Sequence, residues 1–361
     1  MSSADTGTST VQTGAVQASI LQTSPVQTSY AAADIRLLIG AARAPQVSLQ
    51  EKEARIAAGE SYGHFLTPEA APTDLQTATY HAALKRNGPA VASALLGLAD
   101  RLAELGQTVT LVSLARAGFP VGVLLHRLLL RRGLDSAHYG VSIVRGVGLD
   151  MAALGHLLTE RPADSVVFVD GWTGKGSILH TLTSSLEGHA VRPRLAALYD
   201  PAGVAEFAGS HADLLLPHAA LNATVSGLVS RSFLSADRHA AAHLDHLRAY
   251  DLSNAYVDAL DGLCRTATAL PSPGPRPQQP AAHAFAVARR YGCTDPHRAK
   301  PGVGEATRVF LRRQPAALVL RASTSDTAHL ETLAREGNVP VHVDPLLPYA
   351  AMSLIREGQR D

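Results

Sequence analysis

Residues 166–177 read VVFVDGWTGKGS. Val166 to Val169 are apolar and run into Asp170, which is followed by a tight turn of glycine and small hydroxyl residues. Ile178, Leu179, Leu182 and Leu186 then recur at helical spacing and stop at Gly188. Four apolar residues of this kind fit a strand buried on both faces. The turn places Thr173, Gly174, Lys175, Gly176 and Ser177 at a helix start. Backbone N–H groups there lack intrahelical partners and the helix dipole adds positive potential, so an anion suits the spot. The Walker A pattern fails twice, because Gly176 follows Lys175 and Val169 stands five residues before Gly174. An ordinary strand-to-helix turn is the competing reading.

Outward from this stretch an α/β rhythm is predicted. Strands are expected at Thr108–Leu114, Tyr139–Val144, Val166–Val169 and Leu195–Tyr199, with a short fifth at Asp213–Leu216. Strands alternating with helices imply a parallel sheet with right-handed crossovers, and ligands bind at the carboxyl ends of such strands. Ala115, Arg116, Ala117 and Gly118 follow one strand; Arg145, Gly146, Val147 and Gly148 follow another; Asp200 closes a third. Asp150 could cap the next helix. Residues 221–231, LNATVSGLVSR, either line the site up to Arg231 or form an edge hairpin. Upstream, Ser48 and Glu51 open a helix as a capping box, Gly59 closes it, and Pro89 to Leu105 is helical.

The 361 residues suffice for two domains and tails; 46% are hydrophobic, 17% charged, and the formal net charge is +1. That balance carries no global basic excess, so any nucleic-acid surface has to be local. Two cysteines, Cys264 and Cys293, make no disulfide framework, which favours the cytoplasm. No apolar run is long enough to cross a membrane, and no secretory signal is evident. Residues 1–33, rich in Ser, Thr, Gln and Ala, read as a disordered tail; 34–270 as an α/β domain; 271–280, PSPGPRPQQP, as a linker; and 281–361 as a small α/β domain.

His239, His243 and His246, with Asp237 and Asp245, lie at helical spacings and are expected on a polar helix face; Ala240 stands where a zinc protease needs Glu. Cys264 sits in an apolar helical run and reads as core. Cys293, with His297 four residues on, is the one pairing offered for a thiol nucleophile. No metal-ligand set is expected.

The loop after Val169 resembles the ribose-phosphate loop of type I phosphoribosyltransferases, with the usual acid pair reduced to Asp170 and a shorter spacing to Thr173. Residues 300–313, KPGVGEATRVFLRR, resemble the helix start of the RNA-binding fold shared by Pelota and kink-turn-binding ribosomal proteins. Gly302 and Glu305 fit that motif, Arg308 takes a Lys place, and Gly304 replaces a base-reading Asn. With EKEARIAAG, LVSLARAG and YGVSIVRGVGLD, these segments resemble, from about Leu49 to Arg356, phosphoribosyltransferase-like proteins fused to a Pelota-like domain, from bacterial tellurium-resistance and stress gene clusters. The family is also labelled cysteine protease StiP. Residues 61–64, SYGH, depart from its expected pattern.

The resemblance implies a phosphoribosyltransferase-like parallel-sheet domain and a small Pelota-like α/β domain. It implies transfer of a phosphoribosyl group from phosphoribosyl pyrophosphate, with its Mg²⁺, to a nitrogenous acceptor. Asp170, Arg116 and Arg145 would act in catalysis, Arg145 on a mobile loop. Ala117, Gly118, Thr173, Gly174, Lys175, Gly176, Ser177, Asp200 and Arg231 would bind substrate. Lys300, Gly302, Glu305, Arg308, Arg312 and Arg313 would bind structured RNA. A non-catalytic nucleotide sensor is the alternative and a cysteine protease the minor one; a homo-oligomer stays open.

Overall fold

The computed structural model describes residues 24–144, 146–236 and 238–356. Arg145, Asp237 and the first 23 residues of the expected tail lie outside the described residues. The rest of that tail is packed. Val26 and Tyr30 are 3% and 4% exposed, and the Tyr30 hydroxyl donates to the Val225 carbonyl at 3.0 Å. Backbone hydrogen bonds from Val26 to Ile39 and from Ser29 to Gly227 hold it as well.

Six parallel strands form the main sheet, in the order 36–37, 135–141, 108–114, 166–172, 195–199 and 207–210. Val166–Trp172 is therefore central. Its side chains alternate: Val167 and Val169 join one apolar cluster, Val166 and Phe168 another, and all four are 1% exposed or less. Burying a side chain of this size contributes about 1.5–3 kcal/mol. The expected strand at Asp213–Leu216 is absent; Phe207–Ser210 takes the sheet edge instead, and Asp213 uses its carboxylate elsewhere.

Helices cover both faces. Helix α1 (Leu49–Ala57) begins where the Ser48 hydroxyl accepts the Glu51 N–H at 3.1 Å. Helix α2 (Asp74–Ala103) opens on a reciprocal cap between Thr73 and Gln76, at 3.2 and 2.8 Å. It packs with α3 (Gly118–Arg131) and α6 (Ser253–Cys264) on one face of the sheet. Helices α4 (Met151–Leu157) and α5 (Ser177–Ser185) cover the other. The start of α3 hugs the central strand so closely that a Cβ on Gly118 would lie 2.2 Å from the Val169 carbonyl oxygen. Gly118 is thus a packing residue, and the cleft described below is lined by its neighbours Ala115, Arg116 and Ala117.

The stretch around His239 is not helical. Phe233–Ser235 and Arg238–Ala241 pair as antiparallel strands, and His239 Nδ1 lies 2.7 Å from the Ser142 hydroxyl. Strand pairing of flanking apolar residues overrides the helical spacing of the histidines.

A second sheet of four strands, in the order 299–301, 351–355, 315–320 and 341–343, carries α7 (Pro280–Arg290) on one face. Helices α8 (Val303–Arg312) and α9 (Ala328–Glu336) cover its other face. Their apolar residues Val303, Ala306, Leu330 and Ala334 belong to the same cluster as the core around α2 and α3. The proline-rich segment lies against the surface: the His211 N–H donates to the Pro273 carbonyl at 2.9 Å, and Arg276 donates to the Ala205 carbonyl at 2.8 Å.

Candidate functional site

The carboxyl end of the central strand opens into a cleft whose far wall is α8. An inner chamber of about 270 Å³ is lined by Arg116, Asp170, the turn 172–177, Lys300, Glu305 and Arg308. An outer chamber of about 540 Å³ continues past Glu69, Asn222, Arg231, Arg312 and Arg313. Residues expected for substrate and residues expected for RNA thus share one cleft, because α8 turns its charged face toward the main sheet.

Trp172 makes that junction. Its indole Nε1–H donates to Glu305 Oε1 at 3.1 Å, and the Arg308 guanidinium lies 4.3 Å from its ring centre. A Cβ on residue 304 would sit 2.8 Å from Trp172 Cε2, so only glycine lets α8 approach this ring. The position where a related RNA-binding fold carries Asn is used here for packing. Asp213 adds a clamp by accepting the backbone N–H groups of Val303 at 2.9 Å and Ala350 at 2.8 Å. Gly302 supplies the positive φ of +99° from which α8 starts and does not line the cleft.

Two side chains and one carbonyl of the turn expected to hold a phosphate are engaged within the protein. Thr173 donates its hydroxyl to Asp200 at 2.6 Å; Lys175 Nζ donates to the Pro296 carbonyl at 2.6 Å; the Tyr349 hydroxyl donates to the Gly174 carbonyl at 2.8 Å. Asp200 is fully buried and also accepts the N–H groups of Val204 and Ala205, so it builds the turn and does not reach the cleft. Asp170 accepts the Gly171 N–H at 2.7 Å, yet burial pushes its carboxyl up to about 6; that N–H and Arg308 oppose the shift.

The cations on the walls crowd one another. Arg116 Nη2 pairs with Glu69 at 2.7 Å, its Nη1 donates to the Val229 carbonyl at 2.8 Å, and Arg312 donates to Asn222 Oδ1. Burial raises the Glu69 carboxyl, but Arg116 and Arg312 outweigh it and hold the group below its ordinary value. Burial lowers the Arg308 and Arg312 guanidiniums, and each is pushed down further by neighbouring arginines. Arg231 donates to the Phe65 carbonyl at 2.6 Å. Sequence reasoning missed Glu69, Trp172, Asp213 and Tyr349, and reached Asn222 only as part of the stretch 221–231. Trp172 had one signal, being the single tryptophan of the chain and two residues past Asp170.

Neither thiol is among the residues that line the two chambers. Cys264, in α6, faces the Ala92 carbonyl at 3.9 Å, and burial raises its thiol to about 11. Cys293 is 2% exposed beyond the end of α7 and faces the Asp295 carbonyl at 3.3 Å. Burial raises its thiol too, while Arg298 and Lys175 pull in the opposite direction. Among the described residues no group of three or more His, Cys, Asp or Glu is placed to hold a metal ion. No helix among them is long and apolar enough to cross a membrane.

Comparison with known proteins bears on both regions. Residues 28–261 match the family described as "Tellurite-like stress resistance cysteine protease StiP", and residues 278–357 match the PELOTA RNA binding domain. The chain is 34% identical over 360 residues to a protein of Acinetobacter baylyi named "Cysteine protease StiP", covering 91% of this chain and 94% of that relative. These matches overturn the phosphoribosyl transfer expected from the loop. The physical reason lies in the site: the turn's hydroxyl and lysine are bonded within the protein, and burial, with Glu305 nearby, disfavours the Asp170 carboxyl as an anion.

Proposed function

Because the chain belongs to the StiP family, we propose that it is a stress-resistance protein joining a cysteine-protease activity, latent in this conformation, to RNA binding by its C-terminal domain. The reaction class comes from the family description and the named relative. The RNA partner comes from the domain matched at 278–357.

Cys293 carries the proposed nucleophile. Cys264 is held in the core against α2, whereas Cys293 sits in a turn beside Arg298 and Lys175, the two cations that favour its thiolate. Neither thiol falls within residues 28–261, the region the family model matches. The thiolate is the attacking species, so a buried, protonated thiol is inactive until its surroundings open. His297, exposed and four residues on, is then the nearest histidine in sequence.

The test is casein hydrolysis by the full chain, with urea added below the unfolding transition. Activity is expected in wild type and Cys264→Ala, absent in Cys293→Ala, and raised by the urea. Activity surviving in Cys293→Ala refutes the assignment. A gel shift with RNA at low salt tests the second half, and no shift refutes it.

The parallel sheet with a Gly-containing turn at its carboxyl end also supports reading the larger region as phosphoribosyltransferase-like in architecture, without that reaction. Two free cysteines suit a cytoplasmic protein.

A further inference from the structure

We propose that the outer chamber of the cleft is a composite site for single-stranded RNA, holding backbone phosphates between Arg116 on the larger region and Arg308 and Arg312 on α8. The inference rests on the reading that the C-terminal domain binds RNA, and goes beyond it by making the larger region half of the site.

Three observations carry it. The first is charge: seven cations and two acids line the outer chamber. Arginines this close repel one another, and both Arg308 and Arg312 are destabilised as cations by Arg116. A phosphate brought between them relieves that repulsion, which is how a polyanion binds a crowded basic groove. The second is space. About 540 Å³ is the size of a small-ligand pocket and admits a nucleotide unit; an intact duplex is too broad for such a cleft. The third is geometry. The start of α8 is covered by Trp172 and Asp213, so RNA can reach this helix face only from the chamber, where Arg308 and Arg312 are found.

The same geometry sets the mode of recognition. Arg308 covers one face of Trp172, and residue 304 has no side chain to read a base. Phosphate contacts therefore dominate, so affinity falls steeply with salt and discriminates weakly among sequences. Glu69 is the built-in opponent: it pairs with Arg116 and lies in the field of Arg312, so an incoming phosphate competes with it.

The experiment is fluorescence anisotropy of a labelled oligouridylate with the full chain across a salt series, each variant first checked for a wild-type thermal transition. Arg312→Ala and Arg116→Met are each expected to weaken binding about tenfold and to lower the log–log salt slope by about one. Glu69→Gln is expected to tighten binding, and it carries the test if Arg116→Met does not fold. Arg289→Ala, an exposed change at the end of α7, is expected to leave affinity unchanged. If wild type binds but Arg116→Met and Glu69→Gln are both silent, RNA uses the C-terminal domain alone and the composite site is wrong. Loss of binding in Arg289→Ala with Arg312→Ala silent places RNA on the opposite face and also overturns it. No wild-type binding at low salt removes the RNA reading itself.

Discussion

The Arg308 guanidinium rests 4.3 Å from the centre of the Trp172 ring, joining the helix of the smaller region to the strand end of the larger one. That contact requires a glycine one turn earlier, at residue 304. Gly304→Asn would restore the amide of related RNA-binding helices but drive its Cβ into the indole. It is expected to destabilise the fold by about 1–3 kcal/mol, the usual cost of overpacking. Thermal unfolding by circular dichroism checks this, and a wild-type transition would show that the seam yields.

The Asp213 carboxylate is expected to matter more to the seam than any surface ion pair. Asp213→Ala leaves the N–H groups of Val303 and Ala350 without their acceptor. Each lost partner costs about 1–3 kcal/mol when the donor stays buried. A thermal midpoint below that of wild type, followed by circular dichroism, is the expected readout; an equal midpoint would contradict the clamp.

Asp170 and Asp213 give the protein a pH signature. Burial raises both carboxyls from 3.8 to about 6, so the folded state binds these protons more tightly than the unfolded chain. The stabilisation from their protonated forms is complete below 3.8 and is lost as pH rises to about 6. Asp170→Asn should therefore gain stability relative to wild type as pH rises from 4 to 7. Urea midpoints measured along that range check it, and a constant difference between the two proteins would refute it.

Asp200→Ala is expected to unfold the turn and not merely to weaken a ligand. Asp200 is fully buried and spends its carboxylate within the protein, accepting from Thr173, Val204 and Ala205. A drop in thermal midpoint with the cleft emptied of any added ligand is the expected result. An unchanged midpoint would return Asp200 to the candidate ligand contacts.

The central strand and the layering were legible because Val166 to Val169 is an uninterrupted apolar run, and the turn and helix after it are punctuated by glycine. The lysine and arginines of residues 300–313 were equally visible, but their destination was not. Helix α8 is amphipathic, and sequence alone does not say whether its charged face meets solvent or a cleft. A long-range partner such as Glu69 comes from a loop without periodicity, so nothing local marks it. Asp213 was mistaken for strand because three leucines follow it, while its carboxylate was needed to clamp Val303 and Ala350.

The account turns on whether Cys293 is a working nucleophile. The most direct measurement is intact-protein mass spectrometry after exposure to an epoxide inhibitor of thiol proteases, followed by peptide mapping. One adduct on Cys293, formed faster in sub-denaturing urea and absent in Cys293→Ala, is the expected result. An adduct on Cys264, or none on either thiol before global unfolding, would contradict it.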